Sequence, residues 1–157
     1  VWGIATADFH KDGGAGQKLG DFPTVFLVRE KTREAVLSAM GKGRMYAGRS
    51  AYPQQIILKD FSVCSPDCSK RATLGEEIRL NGYPRIRISL EHKKPVENKA
   101  RVRLIRSGKL IKTFSGSLPM DIDFEDQYYE PSEKIFYRID VNSQGALVSN
   151  PIFVTFG

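Results

Sequence analysis

Arg85-Ile-Arg-Ile-Ser-Leu-Glu91 is the stretch that decides the fold class. Polar and apolar side chains alternate along it without a break, which is the period of a strand with one face buried. The alternation places Ile86, Ile88 and Leu90 inward. Working outward, Ala100 to Arg106 and Lys109 to Phe114 flank Ser107-Gly108, the composition of a tight hairpin turn. Gln55 to Val63 reads as a strand, and Glu76 to Leu80 as another, followed by the hairpin signal Asn81-Gly82. Lys134 to Val141 and Ile152 to Phe156 complete the set. Short strands at this density, with no helical period after Ser50, predict an antiparallel Ig-like β-sandwich over residues 51–157.

Before residue 50 the pattern is different. Trp2 to Ala7 reads as a short apolar strand, and residues 10–21 form a polar loop carrying four glycines. Thr24-Val-Phe-Leu-Val28 is a continuous apolar run of the kind buried on both faces. Thr32 is placed to cap a helix over Arg33 to Met40, with Glu34 in its first turn and Gly41 and Gly43 as stop signals. Val36, Leu37 and Met40 share one face of that helix at its spacing, and Met45 to Ala47 reads as a last short strand. The chain is therefore expected to be mainly β: a short α/β segment (1–50) followed by a sandwich (51–157).

Composition narrows the function classes. No stretch approaches the ~20 apolar residues of a membrane-spanning helix. The chain begins at Val1, inside a strand-like run, and is expected to be part of something longer; no compartment is assigned. The net charge of +6 invites a nucleic-acid partner, but the charge is segregated. Residues 85–112 hold ten Lys/Arg against two Glu, and residues 113–140 hold seven Asp/Glu against two Lys/Arg. Neighbouring blocks of opposite sign are expected to pair across a sheet face, which makes nucleic acid the lesser reading.

The two halves, in this order, resemble the carboxyl-terminal end of a PHP (polymerase and histidinol phosphatase) domain of the CehA/McbA metallohydrolase type with its appended β-sandwich. The residues that carry the resemblance are Asp8-Phe9-His10, Thr24 to Val28, Thr32 to Met40 and Gly43-Arg44-Met45-Tyr46. In the second half they are Val102 to Gly108, Phe136 to Val141 and Leu147 to Val154. The resemblance implies that 1–50 is a remnant of a distorted β/α barrel. It also implies that Asp8 and His10 are the last two ligands of a site holding two or three divalent ions (Zn, Mn or Fe). In such a site two ligands one residue apart project to the same side of an extended segment. The metals lower the pKa of water for attack on phosphorus and neutralise charge on the phosphoryl oxygens.

A count limits that reading. The chain contains two histidines, His10 and His92, and no His-x-His motif, so a full cluster cannot be built from it alone. His92, in a charged strand end, is expected to be exposed. The expectation is a fragment of a phosphoesterase that is not competent by itself, with the remaining PHP portion or a second copy of the chain as partner. The alternative is a non-enzymatic sandwich that binds a partner or ligand. Trp2, Ile4, Val25, Phe26 and Leu27, stripped of barrel neighbours, should pack on the sandwich or on another copy.

Other chemistries have less behind them. Gly13-Gly14-Ala15-Gly16 lacks the Gly-Lys-Ser/Thr of a phosphate-binding loop, and no nucleophile-elbow pattern is present. Asp121, Asp123, Glu125 and Asp126 offer oxygen ligands without EF-hand spacing, and read as the solvated face of a strand. Tyr128 and Tyr129 read as sandwich core or rim. Cys64 and Cys68 are too few for a zinc site and leave three readings: a small-loop disulfide, a redox pair, or two thiols flanking a Ser-Pro-Asp turn.

Overall fold

The computed structural model describes residues 1–7, 11, 18, 20–49, 55–94 and 99–157. The α/β segment contributes β1 (Thr24–Phe26), α1 (Arg33–Lys42) and β2 (Met45–Arg49). The strands that follow are β3 (Ile56–Cys64), β4 (Arg71–Thr73), β5 (Glu77–Leu80), β6 (Arg85–His92), β7 (Lys99–Arg106) and β8 (Lys109–Ser117). After them come β9 (Met120–Glu125), β10 (Lys134–Asn142), β11 (Ala146–Ser149) and β12 (Ile152–Phe156).

Two sheets form a β-sandwich. The larger runs β1-β2-β11-β10-β12-β5, with β7 also on β10 and β8 outside β7; the smaller runs β4-β3-β6-β9. Strand β6 lies between β3 and β9 and presents Ile86, Ile88 and Leu90 to the core, each at most 2% exposed. They meet Val102, Leu104, Tyr137, Ile139 and Val141 from the facing sheet in one apolar cluster. Burying an aliphatic side chain of this size contributes about 1.5–3 kcal/mol, so these alternating positions hold the sheets together. Ser107 and Gly108 both take positive φ, 45° and 84°, in the two-residue turn that joins β7 to β8.

The Asn81-Gly82 hairpin is not formed. Strand β5 pairs with β12, in parallel, while β6 belongs to the other sheet. Pro84 has no N–H to offer a ladder, and the connection crosses between the sheets instead. Strands β4 and β11 were not singled out in the sequence, whereas β9 is the strand whose acidic face was expected there.

The first fifty residues join the larger sheet through β2, which pairs with β11 from Arg49↔Ala146 to Ser149↔Tyr46. Helix α1 is capped as its sequence requires. Thr32 Oγ1 accepts from the Ala35 N–H at 3.2 Å, and Gly43 ends the helix at φ 70°. The face it buries is not the expected one. Ala39 is buried and Val36 half-buried, while Leu37 and Met40 are 54% and 43% exposed. A small residue lets the helix lie close, and the larger side chains turn to solvent.

Trp2 to Ala7 is likewise not a strand. The backbone groups of Gly3 and Ala5 are satisfied by side chains rather than by a ladder. Gly3 N–H donates to Asn150 Oδ1 at 2.8 Å, and Asn150 Nδ2 donates back to Gly3 C=O. The Thr24 hydroxyl accepts from Ala5 N–H at 2.9 Å and donates to Ala5 C=O at 3.0 Å. Trp2 donates from Nε1 to Gly41 C=O and meets Phe153 edge-on, with ring centroids 6.1 Å apart. Val25 and Leu27 pack against the core, whereas β1 as a whole is half-buried rather than covered on both faces. Ile4 stays 49% exposed. Among the described residues no helix is long and apolar enough to cross a membrane.

Candidate functional site

Asp8 and His10 lie outside the described residues. The segment leading to them is described, and it is anchored at Thr24, Asn150 and Gly41 as above. Among the described residues no group of three or more His, Cys, Asp or Glu could hold a metal ion. His92 stands apart, at the end of β6 opposite Ile56. Contrary to expectation it is half-buried. Both ring nitrogens are shielded from solvent without a hydrogen-bond partner among the described residues. That desolvation lowers its pKa, which favours the neutral ring.

The acidic run divides between two environments. Asp121 and Asp123 project from β9 on the outer face of the smaller sheet. With Asp60, Arg87 and Ser89 they line a depression of about 240 Å³. Asp123 is already committed there: Arg85 grips it with two bonds of 2.6 and 2.8 Å, and Arg87 lies 3.6 Å away. The Arg85 hydrogen bond, ahead of any other cause, holds the Asp123 carboxyl below the usual range. Arg103 makes the same two-pronged contact with Asp140 across β7 and β10. The opposite charge blocks thus meet across sheet faces, and several basic side chains are neutralised where they stand.

Asp126 is the exception and corrects the reading of a solvated strand face. It is only 7% exposed. Arg106 Nη1 donates to both its oxygens, at 2.9 and 2.7 Å, and the fully buried Tyr137 hydroxyl donates to Oδ2 at 2.6 Å. The Arg106 guanidinium lies 3.8 Å from the centroid of the Tyr128 ring, and Tyr128 donates in turn to Glu133. Burial, reinforced by the Asp126 carboxylate, pushes the Tyr137 phenol far above its ordinary value. Burial also works against the Arg106 charge, but the carboxylate more than offsets it and the pKa ends raised. A phenol held protonated and a neutralised arginine form a structural clasp between β7, β10 and the β9–β10 connection. No general acid or base is poised here. The one sequence signal for it was the block of acidic residues following the basic one.

Cys64 and Cys68 are both free thiols. Cys64 is buried at the end of β3, and Cys68 is half-buried in the following turn. Tyr128 and Tyr129 pack against Phe156, as core and rim residues do.

The sequence matches no family model and no curated protein. The described geometry stands by itself: a β-sandwich with an α/β segment fastened to one sheet, and no assembled catalytic cluster among the described residues.

Proposed function

We propose that this chain is the carboxyl-terminal end of a PHP-type metal-dependent phosphoesterase or related hydrolase. Its sandwich serves as the accessory domain, and Asp8 and His10 supply part of a divalent-metal site. The observation that carries the reading is the way the α/β segment is built. A Thr-capped helix ends at Gly43, and the segment leading into Asp8-Phe9-His10 is held at the first residue of β1. Carboxylate and imidazole are the donor types that Zn, Mn or Fe accept. Bound at a completed site, such ions would activate water and neutralise phosphoryl charge. The chain's own part would be to orient two ligands, with the sandwich keeping the supporting unit rigid. With two histidines in all, it would not hydrolyse a phosphodiester alone.

The second reading, a non-enzymatic interaction module, draws on the exposed Leu37 and Met40. Metal titration of the purified chain with Zn, Mn and Fe separates the two. The expected result is weak binding, reduced about tenfold or more by Asp8→Ala and by His10→Ala, with no phosphodiesterase activity. Affinity unchanged in both variants, or no binding at all, would leave the interaction module. Stoichiometric tight binding with turnover would instead overturn the claim that the site is incomplete.

A further inference from the structure

Strand β3 turns Phe61 and Val63 into the core, so Ser62 and Cys64 project from the opposite face of the smaller sheet. An outward side chain on such a face is ordinarily wet, yet Cys64 is 0% exposed. The turn Ser65–Lys70 follows directly and is tightly bonded. Ser65 N–H donates to Lys70 C=O at 3.0 Å, Cys68 N–H to Ser65 C=O at 2.8 Å, and Lys70 N–H to Ser65 Oγ at 3.0 Å. Asp67 Oδ1 gathers the Ser65 hydroxyl together with the Ser69 N–H and hydroxyl. Pro66 packs over Gly82. Cys68 takes φ 53°, the left-handed conformation that doubles the chain back, and its thiol is near enough to Cys64 to influence that thiol's ionisation.

The neighbouring arginines are each paired with a carboxylate, Arg71 with Asp60 and Arg85 with Asp123. In register with Cys64 stand Arg71 on β4 and Arg85 on β6, on the same sheet face. Burial, then the nearby Cys68, pushes the Cys64 thiol up to about 11. The two sulfurs are thus unequal, one accessible and one covered.

We propose that Cys64 and Cys68 are a thiol–disulfide exchange pair that closes a reversible disulfide across this turn, with a low-molecular-weight disulfide as oxidant. Cys68 initiates. Its thiolate attacks one sulfur of the oxidant, the oxidant's S–S bond breaks, and one small thiolate leaves. Cys64 then loses its proton to solvent and attacks the Cys68 sulfur. The mixed disulfide breaks and the second small thiolate departs and is protonated. Two protein thiols are oxidised and one disulfide is reduced to two thiols.

Glutathione disulfide is the probe, with intact mass spectrometry of the folded chain as readout. The wild type should become lighter by two hydrogens, with a link between the peptides bearing Cys64 and Cys68, and dithiothreitol should reverse it. Cys64→Ser should stop at one glutathionyl adduct on Cys68. Cys68→Ser, altering only the half-exposed residue, should stay unmodified while folded. A wild type that accumulates a lasting glutathionyl adduct overturns the proposal. So does one that stays reduced while the urea-unfolded chain reacts. Rapid modification of Cys64 in Cys68→Ser overturns the order of attack.

Discussion

Of the ion pairs among the described residues, Arg106 and Asp126 form the one most shielded from water. Among the described residues the Arg106 guanidinium is the only cation on Asp126, and the two side chains are 22% and 10% exposed. Breaking a buried pair from one side typically costs about 3–5 kcal/mol, because the remaining charge is stranded. Partial exposure of Arg106 lets some water in, so Arg106→Met should cost about 2–4 kcal/mol. Tyr137→Phe removes one donor and leaves the ion pair, and should cost about 1–2 kcal/mol. Urea unfolding should therefore rank Arg106→Met well below Tyr137→Phe. The reverse order would mean that the phenol, not the ion pair, holds the clasp. In the sequence the two charge blocks announced that pairing would occur, and Arg85–Asp123 and Arg103–Asp140 are its exposed form. That Asp126 alone would be buried was not legible. It differs from Asp123 only in lying just past the end of β9, where the chain turns toward Pro84 and Arg106.

At the scale of elements, the joint between α1 and the sandwich rests on close backbone approach. A Cβ at Gly75 would stand 1.8 Å from the Lys42 carbonyl oxygen, and Gly75 takes φ 77°. Beside it Arg44 pairs with Glu76 at 2.8 Å, and a Cβ at Gly43 would strike the Trp2 indole at 2.4 Å. Gly75→Ala adds a backbone collision to the left-handed penalty and should cost about 2–4 kcal/mol. Gly108, at φ 84° with open space around it, is the control; Gly108→Ala should cost about 1 kcal/mol. Trp2 is the only tryptophan and sits at the joint, so its fluorescence reports docking directly. Gly75→Ala should shift Trp2 emission to the red under native conditions, and Gly108→Ala should not. An unmoved spectrum in Gly75→Ala would show that the loop yields without disturbing the helix. Strand period, the helix cap and the Ser107-Gly108 turn were readable because each is a local rule. The β5–β12 pairing, the fate of Trp2 to Ala7 and the buried face of α1 were not. Each depends on residues more than thirty positions away: Ile78 on Val154, Gly3 on Asn150, Trp2 on Gly41.

For the whole molecule, the α/β segment is satisfied on one side and open on another. Trp2, Val25 and Leu27 find partners on the helix end and the sandwich, as the apolar character of 1–50 required, whereas Ile4, Leu37 and Met40 remain exposed. On the reading proposed above, that surface would face the rest of a PHP barrel. For the chain alone, the apolar partner always at hand is a second copy. Net charge opposes such association, since two molecules each of +6 repel. Salt screens that repulsion, with a Debye length of about 10 Å at 0.1 M and about 3 Å at 1 M, and leaves apolar contact intact. Sedimentation velocity should therefore show a dimer whose share rises with protein concentration and with salt. Leu37→Glu combined with Met40→Glu should return the chain to monomer. Both side chains are exposed in the monomer, so the substitutions should change its unfolding free energy by only about 0.5 kcal/mol each. A dimer that dissociates as salt rises would point to an interface built on charge. A monomer at every concentration and salt would show that Leu37 and Met40 are not a self-docking face.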